Sequence, residues 1–181
     1  MRRAVVANFY GISPTNTCLT TPTAAQPAAA ASPQVTPGLV RTALRRIGLP
    51  AMQVHTQPAD KTLVNFKTNF FTDPTPVRRT VTLLGQRVDV VATPASYTWH
   101  FGDGATATTA GPGARYPALD ITHEYQVAHV TVSSSVDVAY TARFRVRGGV
   151  WQDIPGAVTI TGAPAPLRVS EATAVLSGNH P

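Results

Sequence analysis

The sequence predicts an all-β protein: an antiparallel β-sandwich preceded by a flexible linker and one short helix. Three observations carry that expectation. From residue 61 onward, apolar and polar residues alternate in short runs, which is the period of a half-buried strand. Turn-forming residues interrupt these runs about every ten residues, the spacing of sandwich strands. Sixteen prolines and thirteen glycines in 181 residues favour many turns over long helices.

Taken in order, residues 1–35 read as a flexible segment. The stretch "TTPTAAQPAAAASPQVTP" has no periodicity and too little bulky apolar surface to offset chain entropy. The start, "MRRAVVANFYGISPTNTC", has two arginines and a short apolar patch but no apolar run of signal-peptide length. Either the chain is not exported by that route or this start lies downstream of the native one. Residues 36–60 read as a short helix and an extended connector. Thr36 suits the N-cap, Pro37 the first helical position and Gly48 the stop. Leu39, Val40, Ala43, Leu44 and Ile47 share one face of that helix.

Residues 61–178 read as the sandwich. "TLVNFKTNFF" is expected to be one alternating strand, with Val64, Phe66, Thr68 and Phe70 on one face. "RRTVTLL" and "QRVDVVAT", separated by Gly85, follow as two more, and "ASYTWHF" as a fourth. "HVTVSSSVDVAYTARFRV" is long enough for two strands or one bent strand. "ARFRVRGGVWQDI" reads as a hairpin about Gly148 and Gly149, with Phe144 and Val146 against Val150 and Ile154. "AVTITG" and "LRVSEATAVLSG" complete the set.

The net charge of +6 is an arginine effect, since lysine occurs only at Lys61 and Lys67. The arginines are scattered along the chain and form no basic block, which disfavours nucleic acid as a partner. No apolar run approaches the length of a membrane span. Cys18, the single cysteine, excludes an intramolecular disulfide and reads as a free thiol.

The most specific stretch is "YTWHFGDG", followed by "THEY" and "VTVSSSVDV". Tyr97, Trp99 and Phe101 share a strand face, with Trp99 placed to fill a core. Gly102 and Gly104 permit positive φ, and Asp103 can accept N–H groups of its own turn. This pattern resembles the PKD domain, an immunoglobulin-like β-sandwich, over roughly residues 62–147. Trp99, Phe101, Gly102, Asp103, Gly104, His123 and Tyr125 match its Trp-Asp-Phe-Gly-Asp-Gly and His-x-Tyr signature, while His100 replaces the aspartate. With its helix and hairpin, the chain also resembles PKD-containing exported proteins of high-GC Gram-positive bacteria. The resemblance implies an immunoglobulin-like/PKD-like antiparallel sandwich with Tyr125 as a tyrosine corner.

Chemistry is sparse. A metal would need His100, Asp103, Asp120, His123 and Glu124 to converge. Calcium takes 6 to 8 oxygens and this Asp-rich turn offers one carboxylate, so no cofactor is expected, with Asp103 and Asp120 the residual calcium candidates. Ser133, Ser134 and Ser135 lack a nucleophile elbow and read as outward strand positions. No paired carboxylates, phosphate loop or zinc-protease motif appears, so no enzymatic activity is expected. The expected function is a non-catalytic extracytoplasmic module, structural or protein-binding, at the bacterial cell surface. Its partner would be a cell-envelope protein or glycan. The alternative is a glycan-binding accessory domain, for which Tyr116, Tyr140 and Trp151 are the candidate contact aromatics.

Overall fold

The computed structural model describes residues 33–173. Within them the chain is an all-β sandwich with one short helix. The reading of residues 1–35 as flexible, and Cys18 with it, lies almost wholly outside the described residues, as does the end of the last predicted strand.

Helix α1 spans Pro37–Ile47. Thr36 Oγ1 accepts from Leu39 N at 3.3 Å, and Gly48 ends the helix at φ 78°, with its N–H donating to Leu44 O. Ten strands follow: β1 (His55–Gln57), β2 (Lys61–Leu63), β3 (Thr68–Phe71), β4 (Val77–Leu83) and β5 (Gln86–His100), then β6 (Thr106–Thr109), β7 (Thr122–His123), β8 (Thr131–Val146), β9 (Gln152–Ile160) and β10 (Ala165–Ser170). Strand β1 falls in the segment read as connector, so the sandwich begins before residue 61.

Two long antiparallel strands organise the larger sheet. β5 and β8 pair along nearly their whole length, from Val88↔Val146 to His100↔Ser135, with a bulge between Pro94 and Ser96. At one end they are flanked by β4 and β9, and at the other by β6 and β10, with β2 added parallel to β10. Runs expected as separate strands are therefore joined: "QRVDVVAT" and "ASYTWHF" form β5, and the Val/Ser-rich stretch forms β8 unbroken. A small sheet, β1-β3-β7, is separate.

Three other expectations change. "TLVNFKTNFF" is broken by a turn at Asn65 (φ 57°) into β2 and β3, which leaves Phe66 47% exposed. The β8–β9 hairpin turns on Arg147 and Gly148, both at positive φ, with Gly149 N donating to Val146 O at 2.9 Å. Val150 is 83% exposed and contributes nothing to the core. Ser134 points inward, buried, with its Oγ donating to Ala165 O, so only its neighbours keep the outward reading.

Alternation on β5 and β8 explains the core. Val88, Val90, Ala92, Tyr97 and Trp99 are buried from β5, and Val136, Val138, Tyr140, Ala142 and Phe144 from β8. Val40 and Leu44 of the helix belong to the same cluster, as do Phe70 of β3, Ile121 and Tyr125. The helix packs across β9. At roughly 25 cal/mol per Å², each large apolar side chain buried here contributes about 1.5–3 kcal/mol. No helix among the described residues is long and apolar enough to cross a membrane.

Candidate functional site

The turn after β5 is fully committed to structure. Gly102 (φ 89°) and Gly104 (φ 97°) sit in the left-handed region. A Cβ on Gly102 would stand 2.7 Å from the backbone of Ser133, so the glycine is required by both conformation and contact. Asp103 Oδ1 accepts from Ala105 N at 3.0 Å, and Oδ2 lies 2.6 Å from His123 Nε2. The His123 ring stacks on Phe101 at 4.2 Å between centroids and meets Tyr125 edge-on. Tyr125 donates its buried hydroxyl to Phe101 O at 2.8 Å, tying the β7 segment to the end of β5. Trp99 is fully buried, and its indole N–H donates to Thr109 Oγ1 at 2.9 Å.

Electrostatics follow this geometry. Burial pushes the Asp103 carboxyl up, but the His123 hydrogen bond, the Ala105 N–H and the charge of His123 together hold it below its ordinary value. Burial, aided by the Asp103 charge, pushes the Tyr125 phenol well up, so it remains a hydrogen-bond donor.

The five side chains considered for a metal do not gather. His123 meets Asp103, but His100 pairs across the sheet with Asp137 Oδ2 at 3.1 Å. Asp137 Oδ1 in turn accepts from Gly162 N at 3.1 Å. Both Asp103 oxygens are engaged, and Asp120 joins no cluster. Among the described residues no three His, Cys, Asp or Glu side chains are placed to hold a metal ion.

The three candidate aromatics separate. Tyr140 is fully buried and donates to Pro50 O at 3.2 Å, which removes it from any ligand surface. Its mid-strand position on β8 faces the core. Trp151 lies beneath the guanidinium groups of Arg143 and Arg145, 5.1 and 4.8 Å from its ring centroid. Tyr116 is 72% exposed.

Tyr116 borders an open cleft of about 530 Å³ with Gln57, Pro58, Phe66, Lys67, Asn69 and Leu119. Phe66 and Leu119 are about half exposed, at 47% and 50%. The floor is a pair of amides. Gln57 Oε1 accepts from Tyr116 N at 2.7 Å and from Asn69 Nδ2 at 3.3 Å, and Asn69 Nδ2 also donates to Ala114 O at 2.8 Å. Asn69 is 1% exposed, and its Oδ1 has no donor. A buried carbonyl oxygen without a partner costs about 1–3 kcal/mol, a cost this fold carries beneath the cleft. The wall above it leaves three large apolar side chains facing solvent together.

Sequence reasoning found Tyr116 but missed Phe66, Asn69 and Leu119. Alternation alone places Phe66 in a strand; the signal against it is Asn65 between Val64 and Phe66, a residue type that tolerates left-handed backbone. The arginines read as scattered also converge: Arg78 of β4, Arg87 of β5, and Arg143 and Arg145 of β8 lie on one face of neighbouring strands. Dispersal is therefore no longer a reason to exclude a polyanion.

Comparison of the chain with family models, curated proteins and solved structures gave no match.

Proposed function

We propose that the protein is a non-catalytic, PKD-like binding module of the bacterial cell surface, and that it holds a cell-envelope protein through the Tyr116 cleft. The observation that carries this reading is the exposed apolar wall of Phe66, Tyr116 and Leu119 around one cleft. Pro58 and the three exposed apolar side chains suit an apolar anchor from an extended peptide. A groove of this kind takes the side chains of an extended segment rather than a small polar ligand. The cell-surface setting rests on the resemblance of the Trp99-to-Tyr125 constellation to PKD domains.

A second reading, glycan binding, is favoured by the exposed Tyr116 ring beside the Gln57 and Asn69 amides, since sugars stack on aromatic faces while amides take their hydroxyls. Trp151 and Tyr140 no longer support it at this cleft.

The test is capture from envelope extract, split into protein and glycan fractions, by the wild type and by Phe66→Ala/Tyr116→Ala. Protein capture lost in the variant supports the first reading, and glycan capture lost in the variant the second. Capture undiminished in both fractions overturns the cleft as the binding site.

A further inference from the structure

We infer that the outer face of strands β4, β5, β8 and β9 is a second binding site, built for an acidic polysaccharide whose carboxylates are widely spaced along the chain. The inner face of the same strands is core, with Val88, Val90, Ala92 and Phe144 all buried. Their outer face collects Arg78, Arg87, Arg143 and Arg145 against two acids, Asp89 and Asp153. The surplus of positive charge lies over two hollows, of about 260 and 310 Å³, that share Val91. Adjoining hollows along one face suit a chain rather than a single small anion.

The guanidinium groups are held in place. Asp89 accepts from Arg145 Nε at 3.1 Å, Arg87 Nε at 3.4 Å and Thr80 Oγ1 at 2.9 Å. Trp151 carries Arg143 and Arg145 over its ring. Asp89 is itself a carboxylate gripped by two arginines, so the spacing of this cluster is suited to that group. The guanidinium groups of Arg78 and Arg143 have no acidic partner within ion-pairing distance among the described residues.

Charge density decides between polyanions. Duplex nucleic acid presents one charge per about 1.7 Å, which would set phosphates against Asp89 and Asp153 as well as the arginines. A chain with sparse carboxylates can seat each on a guanidinium and lay an uncharged stretch over the acids. Thr93 and Thr141, which line the second hollow, offer hydroxyls to that stretch. Trp151, already stacked with arginine, is a poor platform for a nucleic-acid base.

The experiment is titration of the wild type with a polyuronate in which each uronate alternates with a neutral sugar (hyaluronan oligomers), with neutral dextran and duplex DNA as comparators, at about 50 mM and about 300 mM salt. The expected result is polyuronate binding that weakens at least about tenfold at the higher salt, no dextran binding, and weaker DNA binding at equal charge. Arg78→Gln/Arg143→Gln should lose about tenfold or more in affinity with an unchanged melting temperature, since these side chains are exposed. Tyr116→Ala should bind polyuronate like the wild type, which separates this site from the cleft. No polyuronate binding at low salt, binding unaffected by the double change, or tighter binding to DNA would each overturn the inference.

Discussion

The Asp103 turn, through its partner His123, and the Tyr116 cleft both rest on the three-stranded sheet but use their polar groups in opposite ways. His123, which grips Asp103, lies opposite Thr68 on β3; the next residue of β3, Asn69, floors the cleft. At the turn, both Asp103 oxygens, the Tyr125 hydroxyl and the Trp99 indole N–H all have partners. At the cleft, Asn69 Oδ1 has none, and three large apolar side chains face outward. The motif's polar groups are all satisfied within the fold, whereas the cleft leaves three apolar side chains uncovered.

The comparison breaks most readily at the core. Trp99→Ala empties a fully buried indole site and should cost about 3–5 kcal/mol in denaturant unfolding. Gly102→Ala should come next, at roughly 2–4 kcal/mol, because the methyl meets Ser133 backbone and the positive φ is disfavoured for alanine. Tyr125→Phe keeps the packing but leaves Phe101 O without its buried donor, and should cost about 1–3 kcal/mol. A smaller destabilisation by any of these would mean that the turn bears less of the fold than its contacts indicate.

Acid should act at the turn and spare the cleft. The Asp103 carboxyl is held below its ordinary 3.8, so its contribution is complete above that pH and is lost as pH falls through the lower folded value. The partly exposed position makes the effect modest. Melting temperature should therefore fall more between about pH 5 and pH 2 in the wild type than in Asp103→Asn. Equal slopes would mean that Asp103 and His123 are not coupled in solution. The smallest stability effect belongs to Tyr116→Ala, within about 0.5 kcal/mol, because the side chain is mostly in solvent.

Much of the fold was legible because strand alternation and turn residues report one-sided burial directly. The Trp99 strand, the Gly85 hairpin and the helix cap of Thr36 are local, and each is written in adjacent letters. The joining of two predicted strands into β5 was hidden because Pro94 looks like a terminator; a bulge beside it lets the ladder continue on either side. The cleft was less legible. Tyr116 stood out as an aromatic in a loop, but Phe66, Asn69 and Leu119 meet it only through pairing of β1, β3 and β7, and no spacing in the sequence encodes that meeting. The arginine face was invisible for the same reason, since β4, β5 and β8 bring together residues more than fifty positions apart.

The central claim is that the cleft binds and the turn builds. The most direct measurement is envelope-extract capture by Phe66→Ala/Tyr116→Ala, paired with its melting curve. The account predicts a melting temperature close to that of the wild type together with loss of capture. A variant that melts like the wild type and still captures the same partner would contradict it.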